Sequence, residues 1–257
     1  MTEWIALSRT NHAEHTYAPR EGYGHASGQV IAPVMLAELP KLLPHYVVGF
    51  LAGDDGLLPV AVLGVEKDQN LYLHPDGRWL AKYVPATLRG YPFVLANNGK
   101  GKGDKTLSIA ADHLLEHGGK PLFDNGEPAK PVADTLAFLT QCEGNRQATL
   151  NACQMLEKAG VLSPWTLTVP IGEGHKQVNG LYRVDEQTLN ALDAETYATL
   201  QGAPMQLAYG QLYSMAQVDQ LTQRHALQEK LTHTQAPENL DAMFGEGDDE
   251  LEFDFDS

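Results

Sequence analysis

The chain has 257 residues, 43% of them hydrophobic and 20% charged, and a formal net charge of −15. That is enough apolar chain to bury a core in one large or two small domains. The negative balance argues against nucleic acid or an anionic membrane surface as a ligand, because both demand neutralisation of phosphate.

In chain order, residues 8–29 are irregular, rich in Gly, His and Ser. The opening MTEWIALSRTNHAEH has no basic start followed by an apolar run, so no secretory signal is expected. PVMLAELPKLLPHY (33–46) carries three prolines and admits only short helical turns. Three apolar runs follow: YVVGFLAG (46–53), LPVAVLGV (58–65) and NLYLH (70–74), separated by DDG and EKDQ. Short links of this kind predict an antiparallel meander. YPFVLA (91–96) and TLSIA (106–110) predict a hairpin around NNGKGKGDK. No apolar run is long enough to span a bilayer.

The second half is helical. PVADTLAFLTQC (131–142) opens with a proline at a tolerated first-turn position. EGN predicts a break, after which RQATLNACQMLEKAG (146–160) resumes and stops at Gly160. WTLTV (165–169) and GLYRV (180–184) predict strands, DEQTLNAL and AETYATL short helices, and residues 208–231 a long final helix. The expected architecture is α+β: an antiparallel sheet, meander plus hairpin, packed with a helical C-terminal half. Residues 1–233 form one domain in this reading and 234–257 an acidic, disordered tail. Residues 241–257 hold eight Asp or Glu and no Lys or Arg; without them, 25 acidic residues face 18 basic ones, leaving −7. Cys142 and Cys153 lie among apolar residues in helical segments and read as reduced, structural thiols, which points to a cytoplasmic setting.

A series of blocks resembles the SapC family of bacterial proteins: ELPKLLPHY, LPVAVLGV, NLYL, DGRWLAKYVPATLRGYPFVLA, KPLFDNGEP, VNGLYRVDEQTLNAL and YGQLYSMAQVDQL, spanning roughly residues 30–225. The resemblance implies an association with surface-layer protein secretion. It also implies genetic neighbours such as outer-membrane nutrient receptors, flavin-dependent halogenase-like proteins and cupin-like or prolyl-hydroxylase-like oxygenases. It implies no reaction and supplies no catalytic residues. A peptide-transporter permease shares the name but is unrelated.

Four segments invite chemistry. His113-Leu-Leu-Glu-His117 spells the inverted zinc-protease motif, but Gly118 and Gly119 cut its helix short and no third ligand is marked, so a polar surface turn is expected. His74-Pro-Asp76 spells the first two ligands of an iron/2-oxoglutarate triad, with His175 as distal ligand and Arg183 as cosubstrate clamp; HPDG is also an ordinary turn. Asn98–Thr106 fails the phosphate-loop pattern because Asp104 stands where lysine is required and a strand follows.

The fourth is DGRWLAKYVPATLRGYPF (76–93), the densest gathering of aromatics and cations in the chain. Pro85 starts a short helix that Gly90 ends. Arg78, Trp79, Tyr83, Arg89 and Tyr91 around that turn form a candidate rim for an aromatic or carboxylate ligand, since guanidinium stacks on rings and binds carboxylate in two-pronged fashion. The competing reading has the aromatics plugging the sheet and the cations solvated. In the tail, Leu251, Phe253 and Phe255 alternate with acids and form a candidate partner-binding strand. The functional expectation is a non-catalytic, cytoplasmic binding protein for a peptide, amino-acid-like ligand or protein partner, without metal or cofactor. The alternative is an oxygenase using His74 and Asp76.

Overall fold

The structure, a computed structural model, describes residues 2–97 and 105–235. The N-terminal half holds β1 (Trp4–Ala6), β2 (Thr16–Tyr17), β3 (Ile31–Pro33), α1 (Leu39–Leu42), β4 (Val48–Gly53), β5 (Gly56–Val62), α2 (Ala86–Arg89), β6 (Phe93–Asn97) and β7 (Lys105–Ala110). Four two-residue strands follow, β8 (Leu114–Leu115), β9 (Lys120–Pro121), β10 (Phe123–Asp124) and β11 (Glu127–Pro128). The remainder is α3 (Lys130–Lys158), β12 (Leu162–Ile171), β13 (Gly174–Val184), α4 (Glu186–Asn190), α5 (Ala194–Thr199), α6 (Ala203–Ser214) and α7 (Val218–Gln235). The class is α+β, as expected.

The main sheet runs β12-β13-β4-β5-β3, antiparallel throughout. Its two faces feed two cores. Val48, Val60, Val62, Leu167 and Leu181 pack with Tyr46, Tyr72 and Leu221 on one side. Phe50, Leu57 and Val184 pack with Cys153, Leu156 and Leu207 on the other. In β12, Trp165, Leu167 and Val169 face the first core while Thr166 and Thr168 between them are exposed, the period-two geometry of a strand. A second sheet, β1-β7-β6, contains the expected hairpin and a third core around Tyr17, Phe93 and Ile109.

Between β4 and β13 the ladder covers only Leu51↔Leu181 and Phe50↔Tyr182. The donors beyond it are met by α6. Val48 N donates to Ser214 Oγ at 2.9 Å, and Val184 N donates to Gln211 Oε1 at 2.9 Å. Both side chains are buried, so an unpaired strand N–H is avoided there by a helix rather than by another strand.

Three expectations are corrected. NLYLH is not a meander strand. Asn70 is buried, donates from Nδ2 to Ala26 O at 2.9 Å and accepts from Tyr72 N at 2.9 Å, turning the chain. A side chain that bonds nearby backbone competes with the sheet ladder. EGN does not break the helix. Gly144 lies inside α3, where Asn145 Nδ2 donates to Gln141 O at 2.9 Å. A mid-helix glycine costs only about 1 kcal/mol. The buried Leu150, Cys153 and Leu156 just beyond outweigh it, at roughly 1.5–3 kcal/mol for a fully buried large aliphatic chain. The final helix is two helices: a 3-10 turn at Met215–Gln217 separates α6 from α7. Ser214, engaged with Val48, donates back to Gln211 O at 2.6 Å and ends the first. Residues 98–104 and the tail beyond Gln235, including Leu251, Phe253 and Phe255, lie outside the described residues.

Candidate functional site

The segment 76–93 supplies three separate environments. α2 starts after Pro85 and ends before Gly90, as its sequence predicts. Adding a Cβ to Gly90 would bring it within 2.6 Å of Leu139 Cδ2, so the turn is pressed against α3.

The first environment is interior. Tyr46 and Tyr72 stack at 4.5 Å between ring centres, and Trp79 lies against Tyr72 at 6.0 Å. Trp79 Nε1 donates to Tyr46 Oη at 2.7 Å, Tyr46 Oη donates in turn to the Tyr83 carbonyl, and Tyr72 Oη donates to His45 O at 2.7 Å. The Arg224 guanidinium covers Tyr72 at 4.2 Å. Burial pushes the Tyr72 phenol up to about 12. Trp79 is thus a core plug with its polar atom satisfied, and the plugging alternative holds for it.

The second environment surrounds Glu38, a buried carboxylate that the sequence does not mark. Its Oε1 accepts from Met35 N at 2.8 Å, and its Oε2 accepts from Ala86 N and from Tyr83 Oη, both at 2.9 Å. Three donors on one carboxylate tie the turn before α1 to the turn before α2. Tyr83, half-buried, has its phenol pushed up by burial and by Glu38. Beyond Tyr83 the character changes. The Arg89 guanidinium lies 5.4 Å from the Tyr83 ring centre and 4.8 Å from that of Phe138. It donates a long hydrogen bond, 3.4 Å, to Tyr83 Oη, and has no ion pair among the described residues. Arg89, Lys41, Tyr83 and Phe138 line a cavity of about 230 Å³. Ala37 and Asn145 are shared between that cavity and an apolar groove of about 810 Å³, walled by Leu36, Leu43, Met205, Tyr209 and Tyr213. Tyr213 is 69% exposed. Cys142 faces the small cavity half-buried, its thiol pushed up by burial, whereas Cys153 is fully buried.

The third environment holds Tyr91. Its ring is stacked on His25 at 4.0 Å and 5° and meets His113 edge-on at 4.9 Å. Asp76 lines the same polar pocket. Arg78 stands outside all three, exposed, with Nε donating to Asp76 Oδ2 at 2.6 Å. The five residues of the predicted rim are therefore divided: Tyr83 and Arg89 share one cavity, Tyr91 lines another, Trp79 is in the core and Arg78 is solvated.

The metal motifs come apart. His113 ends a 3-10 turn and Leu114–Leu115 form a strand, so His113 and His117 share no helical face. His113 is nonetheless more than a surface turn: its Nδ1 lies 2.6 Å from Ala18 O inside a pocket. His74 Nδ1 lies 2.9 Å from Asp76 Oδ1, but Arg78 holds the carboxylate and keeps its pKa down at about 2. His175 is at the tip of the β12–β13 hairpin, opposite Pro170. Among the described residues no three His, Cys, Asp or Glu side chains are placed to hold a metal ion. The oxygenase alternative finds no support here.

Sequence reading missed Glu38, Phe138, His25 and Asp112. Each acquires its role from a partner more than twenty residues away, and no local pattern signals that.

The fold and its cavities define an α+β protein built on antiparallel sheets, with polar and apolar pockets around the 76–93 segment. Among the described residues no helix is long and apolar enough to cross a membrane. The chain belongs to the SapC family, whose model matches residues 7–221. No curated protein and no solved structure matches it.

Proposed function

We propose that this SapC-family chain is a non-catalytic binding protein. Its ligand is a peptide or protein segment that sets a carboxylate beside aromatic or aliphatic side chains. The observation that carries the reading is Arg89: a guanidinium lying over two rings, with no ion pair among the described residues, in a cavity that shares Ala37 and Asn145 with an apolar groove. Glu38 is held by three neutral donors, so the cavity sets two cations, Arg89 and Lys41, against one carboxylate whose acceptor positions are already engaged. In a chain of net charge −15 this is a local exception, and charge complementarity favours an acidic occupant. Aromatic and aliphatic side chains would fill the groove along Leu36, Met205 and Tyr209, burying apolar surface. The proposed setting is the cytoplasm, supported by two unpaired cysteines.

The chain's own Glu250-Leu-Glu-Phe-Asp-Phe-Asp256 has the required chemistry. It makes Leu251, Phe253 and Phe255 an internal competitor for the same groove. A synthetic peptide of residues 245–257 is the probe, titrated against the chain shortened to residues 1–235. Saturable binding that weakens about tenfold in Arg89→Gln, and that is weaker still in the full-length chain, supports the reading. Binding indifferent to Arg89→Gln, or no binding at ~1 mM peptide, overturns it.

A further inference from the structure

The pocket around Tyr91 has a chemistry of its own and does not depend on the groove. Four segments distant in sequence converge on a cavity of about 500 Å³: residues 20–25, 75–77, Tyr91 and 112–113. Its rim is closely pinned. Tyr23 N donates to Gly77 O at 2.8 Å, and a Cβ on Gly22 would stand only 2.7 Å from that same oxygen. The loops meet glycine to glycine, and Gly77, at φ +86°, holds a backbone conformation that glycine tolerates best. A site so constrained needs little reordering on binding.

Most of its polar groups have unspent capacity. His25 lies flat on Tyr91, and its buried Nε2 has no hydrogen-bond partner. Burial, with Arg20 and His113 nearby, lowers its pKa to about 4, so the ring stays neutral and presents an uncharged aromatic surface beside Tyr91. At His113, Nδ1 faces the Ala18 carbonyl, which can only accept, so Nδ1 carries the hydrogen. Asp112 takes the Tyr91 hydroxyl as a partner and is otherwise exposed. Glu21 has no ion pair among the described residues. Asp76 is already neutralised by Arg78. Against these acceptors stands one cation in the lining, Arg20, which bonds Gly22 O and Tyr23 Oη.

A ligand for such a site must bring several donors on a positive charge and one anionic group for Arg20. A phosphate would meet the carboxylates of Glu21 and Asp112, and an uncharged polyol would leave both charges unanswered. We propose that the pocket is a binding site for a free α-amino acid. Its ammonium faces the carboxylates of Asp112 and Glu21, its carboxylate faces Arg20, and its side chain lies along the His25–Tyr91 pair. The volume falls within the range of small-molecule sites, roughly 300–1,000 Å³.

The test is calorimetric titration of the full-length protein at neutral pH with each common L-amino acid. The decarboxylated amine and the deaminated acid of the best binder follow. At least one amino acid should bind with a Kd of about 1 mM or tighter, and removing either charged group should weaken binding about tenfold or more. Arg20→Gln and Asp112→Asn should each weaken it about tenfold with unchanged circular dichroism and Tm. If Arg20→Gln loses structure, the exposed pair Glu21→Gln and Asp112→Asn decides. No binding at ~10 mM of any amino acid, an amine or acid binding as well as its parent, or folded variants with full affinity would each overturn the assignment. Arg89→Gln should leave this binding intact, which separates it from the groove.

Discussion

Trp79 and Arg89 belong to one short stretch of sequence, yet they do opposite things. Trp79 buries its ring against Tyr72 and satisfies its one donor on Tyr46. Arg89 lies over two rings, and its guanidinium meets no carboxylate among the described residues. The difference is in partner satisfaction, not in residue type. A polar atom inside must find a partner or incur a desolvation cost, so the Tyr46–Tyr72–Trp79–Glu38 region is closed and specific. A cation at the surface has no such obligation and remains available to a ligand. Aromatic and cationic density in a sequence thus marks a neighbourhood, and the hydrogen-bond inventory decides which members are core and which are site.

The strongest way to break this contrast is Glu38→Ala. It strands three donors, Met35 N, Ala86 N and Tyr83 Oη, each costing about 1–3 kcal/mol when unsatisfied and buried. A loss of about 3–4 kcal/mol and a Tm fall of roughly 10 °C are expected, measured by urea and thermal unfolding. A loss under about 1 kcal/mol would show that water replaces the carboxylate and that the region is not closed. Next is Trp79→Phe, which keeps a ring and removes the donor to Tyr46. About 1–2 kcal/mol should be lost on urea unfolding, with no change in affinity for the peptide of residues 245–257. A change in affinity without a change in stability would move Trp79 from core to site.

A smaller effect is expected from pH. Burial, reinforced by Arg20 and His113, keeps His25 neutral in the fold, with a pKa of about 4 against an ordinary 6.5; Tyr91 covers its face. A depressed folded pKa means that below 6.5 the unfolded chain takes up a proton that the fold refuses. The contribution is present above pH 6.5 and is lost progressively as pH falls to about 4. Wild type should therefore lose Tm faster than His25→Gln across that window, and parallel curves would show that His25 is solvated. The smallest effect belongs to Arg78→Gln. Its ion pair with Asp76 is exposed, and exposed pairs contribute little. Tm should hold within about 1 °C, and so should that of Arg89→Gln, whose loss is read in peptide affinity alone. A marked Tm fall for Arg78→Gln would show that the HPDG turn depends on the pair.

What the amino-acid sequence determined by itself was local. Apolar runs bounded by turn signals specified β5 and the strands of both hairpins, because a short apolar run between turns pairs into a buried sheet. Pro85 opened α2 because proline lacks a donor, Gly160 stopped α3 because glycine accepts its φ of +68°, and Gly90 closed α2 at an ordinary φ where a Cβ would strike Leu139. The family resemblance was legible for the same reason, in contiguous blocks such as DGRW and GLYRVDE. Tertiary structure decided the rest. Gly144 stayed helical because the turns after it are buried, Asn70 bent a strand-like run by bonding Ala26, and Ser214 split one predicted helix by serving Val48. The tertiary structure also divided Arg78, Trp79, Tyr83, Arg89 and Tyr91 among core, solvent and two cavities, and it recruited Glu38, His25, Asp112 and Phe138. The reason is the same throughout: burial and hydrogen-bond satisfaction are properties of pairs far apart in the chain, and a residue's neighbours in sequence do not carry that information.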